Sequence, residues 1–510
     1  MPKFKLIYLP PLLIYASAGI SGITGIVGIF FIKDFLNLSA AFIASIGFWA
    51  GIPWSLKMPV GFLIDKYWNF KHYFVYLGAF IISVSLIIMY GVLVHTNDMQ
   101  ILLSVEAWFI LSSILTPVGY VLQDVVADAM TVEAVEPNLK NNTRNLINEE
   151  IKAEHTLVQL YGRFAIIFGS LLVGLINFLI FNFLEDKYTD VSILYGNIYL
   201  FALIVPFVSI IGVLIWNYSN KNKSFIKNNI SNSLDYKIFI GSCFFVIFAI
   251  ILGSLKLTYS REIVLISSLV LISILMRMLL KGMDVKHRST IIGTAIIIFV
   301  FRAMPGPGPG LNWFEIDVLG FDQSFFSLLT IISASVTLLG ILIFRKLMIR
   351  TSLSKLFIIL SILSSLLYFP SLFLYYDLHE FTSSITYGIV DARFIAVLNT
   401  AVESPLSQVA MIPLLAWIAR NAPLKYKATF FAVFASFTNL ALSARELFTS
   451  YLNKIFVIKR KVETTELNKI TEQANYDDLD NLIISLILIT AVVPILTILV
   501  IQRSKYKSKE

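Results

Sequence analysis

Long apolar runs recur along the whole chain, and short polar segments separate each run from the next. A helix needs about 20 apolar residues to cross the hydrocarbon core of a bilayer. The runs near this length predict about fourteen transmembrane helices, at residues 12–32, 42–64, 73–94, 101–131, 157–182, 193–216, 237–254, 262–281, 289–304, 323–344, 355–376, 385–419, 427–450 and 482–502. We therefore expect an all-α polytopic membrane protein.

The composition agrees with a membrane location. The 510 residues are 57% hydrophobic and only 14% charged, whereas soluble domains carry roughly 25% charged residues. Cys243 is the single cysteine, and the five histidines show no metal-ligand spacing, so we expect no metal and no cofactor. The net charge of +8 comes from cations in loops between apolar runs. A lipid bilayer, and not nucleic acid, is therefore the expected partner.

The distribution of lysine and arginine predicts the topology. If the amino terminus is cytoplasmic and the runs alternate, most cations fall in cytoplasmic segments, for example Lys140, Arg144 and Lys152. Both termini are then cytoplasmic. The first run lacks a convincing cleavage site, so we interpret it as a transmembrane helix and not as a signal peptide. The lack of an Arg/Ser-rich transit peptide favours the cell (inner) membrane of a bacterium.

The chain also divides into two similar halves. In the first, a long run ending GYVLQDVVADAMTVE precedes a polar loop and the run YGRFAIIFGSLL; in the second, SPLSQVAMIPLLAWIARNAP precedes KATFFAVFASFTNLAL. The simplest division is a six-helix bundle at 1–220, a linker with two extra helices at 221–288, and a second six-helix bundle at 289–510. Such repeats are typical of secondary transporters, which bind substrate between the halves and work by alternating access.

One segment between the second and third runs resembles a known motif. Residues 61–71 read GFLIDKYWNFK, similar to the cytoplasmic GxLxDRxGRK-type motif of the major facilitator superfamily, with Lys66 in place of the usual arginine. We interpret Gly61 as a tight turn, and Asp65 as a group that pairs with cations and caps neighbouring helix ends. The role expected for Gly61, Asp65 and Lys66 is a structural latch. The resemblance implies a major-facilitator-type fold.

Four further segments resemble the folate–biopterin transporter (BT1-like) family within that superfamily. They are Pro53–Asp65, the run Asp124–Glu133 (DVVADAMTVE), Phe301–Gly310 leading to Glu315–Phe321, and Met411–Ala416 with the downstream Ala422–Asn439. The resemblance spans most of the chain. It implies a small-molecule substrate of the folate or pterin class, taken up as an organic anion.

Asp124 and Asp128 are the strongest candidate site residues. They lie in the middle of an apolar helix, where a carboxylate is costly unless it faces a cavity or a partner, and their spacing places both on one face. They could couple transport to protons, or they could form a structural ion pair. Lys57 and Arg163 are the expected counter-charges, and either could also bind a substrate carboxylate.

The second half offers further candidates. Arg302 precedes an alternation of proline and glycine that begins with Pro305 and Gly306, and such a segment cannot remain a regular helix. It could form a gate or line an outer vestibule, or it could be an ordinary external loop. The other candidates are charged residues of the twelfth run, one of which could meet Arg302, and two glutamines able to hydrogen-bond a heterocycle: Asp391, Arg393, Glu403, Gln123 and Gln408.

Two classes of function fit these residues. The first is a proton symporter, expected to be a monomer, for a folate- or pterin-like anion, or otherwise a major facilitator carrier for another small polar solute. The second is a membrane enzyme of the prenyltransferase type, since Asp124 and Asp128 mimic half of a site for Mg²⁺ and diphosphate. No second Asp-rich helix or loop of the prenyltransferase type completes that site. We therefore expect a transporter and not an enzyme.

Overall fold

The computed structural model describes residues 5–36, 38–55, 57–67, 70–133, 148–184, 187–188, 190–220, 240–241, 243–244, 247–249, 251–252, 259–281, 283–344, 347–348, 351–421, 427–464 and 469–507. Helices dominate these residues, as the apolar pattern predicts. A two-stranded antiparallel hairpin, β1 (Val462–Thr464) and β2 (Lys469–Glu472), is an addition that the all-α expectation lacked.

In chain order, the helices up to residue 220 are α1 (Leu9–Ile20), α2 (Gly25–Phe35), α3 (Ala40–Ser55), α4 (Lys57–Lys66), α5 (Lys71–Val94), α6 (Thr96–Gln100), α7 (Val105–Glu133), α8 (Asn148–Phe183), α9 (Val191–Phe201) and α10 (Ile204–Asn220). Short 3₁₀ turns lie at Leu6–Tyr8 and Ser21–Thr24.

The helices after residue 259 are α11 (Ser260–Leu280), α12 (Val285–Arg302), α13 (Pro309–Asp317), α14 (Gln323–Ile343), α15 (Leu353–Leu366), α16 (Phe369–Tyr375), α17 (Leu378–Ile385), α18 (Ala392–Asn421), α19 (Lys427–Ile455) and α20 (Leu479–Arg503).

Ten segments of the described chain are long and apolar enough to cross a membrane, and α3 is a shorter apolar helix. Several predicted runs are divided, and proline explains one division: α16 begins just before Pro370, which lacks the amide hydrogen that a continuous helix would use. The count of fourteen stays a prediction, and much of the run 237–254 lies outside the described residues.

Contacts divide the chain into two compact units. The first unit comprises residues 1–28 and 59–239, and the second comprises 29–58 and 240–510. Residues 29–58, which the sequence assigned to the first bundle, thus pack within the second unit. The predicted boundaries at 220 and 288 themselves stay a prediction.

In the first unit, α1 packs against α7, α8 and α10, while α5 packs against α7 and α9. Glycines allow the closest approaches, because a Cβ on Gly19 would lie 2.1 Å from the Ile166 carbonyl oxygen and one on Gly169 2.8 Å from the Ala16 carbonyl oxygen. Small residues at such crossings let membrane helices gain van der Waals contact. The core contains Ile14, Val75, Val126, Met130 and Trp216.

In the second unit, α19 packs on α3, α14 on α18, and α15 on α20. A buried polar network fixes its loops. Lys33 forms an ion pair with Asp317 at 2.8 Å, and Asp317 also accepts hydrogen bonds from the Tyr476 hydroxyl at 2.5 Å and the Lys461 amide at 2.9 Å. Arg460 donates to the carbonyls of Leu36 and Leu38. These bonds join the end of α2 and the residues that follow it to α13 and to the segments on either side of the hairpin.

Candidate functional site

The predicted carboxylates of α7 lie in a charged cluster of the first unit. The Tyr15 hydroxyl, on α1, donates a hydrogen bond of 2.6 Å to Asp128 Oδ1. The charges of Asp128, Asp124 and Arg163 all act on this hydroxyl, so the four groups lie close together. Tyr15 is buried, whereas the two carboxylates and Arg163 are half-buried. The structure therefore places Arg163, on α8, beside the pair of carboxylates that the sequence predicted.

Backbone packing positions Tyr15 in this cluster. A Cβ on Gly162 would lie 2.9 Å from the Tyr15 ring, so only glycine at this position lets the ring rest on α8 beside Arg163. Between the two carboxylates on α7, Val126 and Ala127 are fully buried. Sequence reasoning missed Tyr15 because a tyrosine in an apolar run carries no charge to mark it.

The other candidates of the first unit have structural partners. Gln123 is buried, and its amide donates to the Ser209 hydroxyl at 2.9 Å and to the Val75 carbonyl at 3.3 Å. Gly61 lies inside α4, so the expected tight turn at Gly61 is wrong; the helix continues to Lys66 and the turn follows at Tyr67. The side chains of Asp65 and Lys66 lie outside the described part of the chain.

In the second unit, the Pro-Gly alternation packs on α19. The Gly306 amide donates to the Thr449 hydroxyl at 3.0 Å, and Asn453 donates to the Pro307 carbonyl at 3.2 Å. Pro305 and Gly306 are buried. Gly308 has φ of 71°, a left-handed conformation that favours glycine. The segment is thus not a regular helix, as predicted. It separates α12 from α13 and packs on one face of α19.

The contacts described for the candidate cations and acids of the second unit differ from one residue to the next. Lys57, expected as a counter-charge for the carboxylates of α7, belongs to this unit. Lys57 lies 4.9 Å from the centre of the Trp54 ring, and Arg302 Nη1 lies 3.2 Å from Met411 Sδ. Asp391 caps the amino terminus of α18 by accepting from the Phe394 amide at 2.8 Å.

Arg393 is exposed and forms an ion pair of 3.6 Å with Asp322, in the loop before α14. This pair links the start of α18 to that loop. Glu403 is exposed and Gln408 half-buried, both on α18. Their part in a site stays a prediction.

A second charged cluster, which sequence reasoning missed except for Glu403, surrounds Arg445 on α19. Glu403, Glu446 and Tyr368 all lie within electrostatic reach of Arg445. Glu315, in the short helix α13, lies near Glu403; burial, and then the charge of Glu403, raise the pKa of Glu315 to about 7. Arg445 and Glu446 interrupt an apolar run, so the rule that selected Arg302 could have found them.

The fold is known from solved transporters. A POT family transporter in complex with 5-aminolevulinic acid has a TM-score of 0.65 at 15% identity, covering 98% of this chain and 96% of that chain. One in complex with a thioalcohol-conjugated peptide has a TM-score of 0.63 at 14% identity, with the same coverage. The nucleoside transporter NupG has a TM-score of 0.57 at 15% identity, covering 97% of this chain and 98% of that chain.

These similarities define the class: the chain is a polytopic membrane protein with a major-facilitator-type fold. Residues 270–510 match the model of the BT1 family. No curated protein matches the sequence. The similar solved structures are those of transporters, so the likeness shows a transporter fold.

Proposed function

We propose that the protein is a secondary transporter that couples proton movement to uptake of a folate- or pterin-like organic anion by alternating access. The observation that carries the proposal is the cluster of Tyr15, Asp124, Asp128 and Arg163 in the first unit. The match of residues 270–510 to the BT1 family supports the substrate class.

The charges of this cluster fit a proton-coupling role. With both carboxylates ionised, the two acids and the one arginine named here sum to −1. A proton on Asp128 removes one negative charge and leaves Asp124 beside Arg163. Because charge in a membrane interior is costly, the protonated cluster is cheaper to enclose when the carrier changes conformation. The Tyr15 hydroxyl holds Asp128 in place in either state.

The alternative substrates are other small polar solutes. The similar structures include POT family transporters in complex with a peptide conjugate or with 5-aminolevulinic acid, and a nucleoside transporter. The same fold therefore serves diverse solutes. The enzyme alternative has less support, because Arg163 beside the carboxylates is a partner for an ion pair and not a ligand for Mg²⁺.

The expected arrangement completes the proposal. We propose a six-helix bundle at each end of the chain with two extra helices between them, a monomer in the cell membrane, and both termini in the cytoplasm. The excess of lysine and arginine in the segments assigned to the cytoplasm supports this orientation.

The experiment is uptake of radiolabelled folic acid into proteoliposomes, with and without an imposed pH gradient that is acidic outside. The proposal expects the gradient to stimulate uptake by the native protein and not by Asp128→Asn. Asp377→Asn is the matched control, since Asp377 is an exposed acid whose positive φ of 53° asparagine also tolerates. Equal gradient stimulation of Asp128→Asn and the native protein would reject the proton role.

A further inference from the structure

Arg445 differs from the other residues on its face of α19. Thr449 and Asn453, one and two turns further on, are buried and bonded to the Pro-Gly segment. Arg445 is exposed. Throughout the part of the chain that the structure describes, no side chain or carbonyl forms a hydrogen bond or ion pair with its guanidinium. Arg445 lies in the run 427–450 that the sequence predicts to cross the membrane. An intramembrane cation should pair or face water, so on that prediction Arg445 faces a wet space.

The neighbouring acids are near but do not neutralise Arg445 by contact. The Glu446 side chain is directed at α3, because its Oε2 lies 3.0 Å from the position of a Cβ on Gly47. Glu403 is exposed on α18 and acts on Arg445 only at longer range. The guanidinium therefore keeps its five donors available, with Glu403 and Glu446 acting on it at longer range.

Gly306 leaves room for this guanidinium. A Cβ at position 306 would lie 2.9 Å from Arg445 Nη2, closer than an ordinary contact. The backbone of Gly306 is fixed by its bond to Thr449, so a larger side chain there would have to displace the arginine. The Pro-Gly segment thus sets where the guanidinium can lie.

We propose that Arg445 binds a carboxylate of the transported solute, which makes the substrate an organic anion with a free carboxylate group, such as the glutamate tail of a folate. The planar fork of arginine matches a carboxylate with two parallel hydrogen bonds. This inference rests on the proposed transport function. It adds a binding residue in the second unit, separate from the proton-coupling cluster of the first.

The test compares two probes that share a pterin ring and differ in the carboxylate tail. Binding of 5-formyltetrahydrofolate, which carries a glutamate, and of biopterin, which does not, is measured by isothermal titration calorimetry on the purified full chain. We expect Arg445→Gln to weaken 5-formyltetrahydrofolate binding by about tenfold or more, with biopterin binding changed less than about twofold. Arg445→Lys should restore part of the loss. Arg503→Gln, at an exposed arginine near the end of α20, is the control.

Gly306→Ala gives a second reading that keeps the charge. It should weaken 5-formyltetrahydrofolate binding while leaving biopterin binding within about twofold, even if Arg445→Gln fails to fold. Equal losses for both probes, unchanged affinity in Arg445→Gln and Gly306→Ala, or no binding of 5-formyltetrahydrofolate by the native protein would overturn the assignment. Gradient-driven folic acid uptake together with unchanged affinity in both variants would refute the role of Arg445 alone and leave the transport function standing.

Discussion

Replacing Gly19 by alanine tests the packing that brings α1 to α8. The new Cβ would lie 2.1 Å from the Ile166 carbonyl oxygen, whereas ordinary contacts begin at 3.4 Å. The two helices would have to separate locally by up to 3.4 − 2.1 = 1.3 Å. The obstructing atoms belong to the backbone of α8, so no side-chain rotation can relieve the clash.

The cost follows from two opposing effects. Overpacking of this kind costs about 1–3 kcal/mol, and the backbone obstacle places Gly19→Ala at the upper end. Alanine recovers up to about 1 kcal/mol because it favours the helix over glycine. The expected net loss is therefore about 2 kcal/mol. Gly25→Ala is the matched control, since nothing lies within 4 Å of its Cβ and its stability should be unchanged or slightly higher.

The assay is thermal unfolding of each purified variant in the same detergent, followed by tryptophan fluorescence, with folic acid uptake measured in parallel. Gly19→Ala should have a lower Tm than the native protein, and Gly25→Ala should not. Because Tyr15 lies one turn before Gly19 and Arg163 one turn before Ile166, uptake should fall as well. A Tm for Gly19→Ala equal to that of Gly25→Ala would show that the crossing is looser than the structure describes.

Three further predictions concern single groups. Tyr15→Phe keeps the ring on Gly162 but removes the hydrogen bond to Asp128, worth about 1.5–3 kcal/mol for a charged acceptor. The initial rate of folic acid uptake should fall at least tenfold and the Tm should also fall, whereas a native rate would contradict the role of the hydroxyl. Asp317→Asn removes the charge of one of the two acids that Lys33 contacts, since Asp34 Oδ1 also lies 3.1 Å from Lys33 Nζ. The loss should be about 1.5–3 kcal/mol, seen as a lower Tm, and an unchanged Tm would show that the pair is not buried in solution. Glu315 stays protonated in the folded protein up to about pH 7 but ionises near pH 4.5 when unfolded, so the folded state binds more protons between these two pH values. The free energy of unfolding should therefore fall as the pH rises from 4.5 to 7, by at most about 3 kcal/mol. Glu315→Gln should flatten this dependence in unfolding measurements from pH 4.5 to 8, and an equally steep decline in the variant would assign it to another group.

Much of the fold could be predicted from the sequence because the bilayer imposes one rule on every span. A run of apolar residues must form a helix, since hydrocarbon offers no partner for free backbone groups. The observed helices Lys71–Val94, Ser260–Leu280 and Gln323–Ile343 follow the predicted runs within a few residues. The divided helices were less predictable, because a turn between two apolar segments leaves the hydropathy pattern unchanged.

The site was predicted only in part, for a related reason. Charges within apolar runs are conspicuous, so Asp124, Asp128 and Arg163 could be selected from the sequence alone. Their uncharged partner could not, because Tyr15 is one aromatic residue among many and is distinguished only by its distance to Asp128. Asp391 shows that a conspicuous charge can also have a local structural role, since it caps the amino terminus of α18, and its part in a site stays a prediction.

Local residue type and spacing are enough to specify that the chain is helical, that it lies in a membrane, and which helices carry charge. Which charges meet depends on the packing of the folded chain. Gly19 and Gly162 let α1 rest on α8 and so place Tyr15 beside Asp128, while the Pro-Gly segment leaves Arg445 open on α19. Contacts between helices far apart in the chain depend on the shapes of both surfaces, and one helix alone does not specify them.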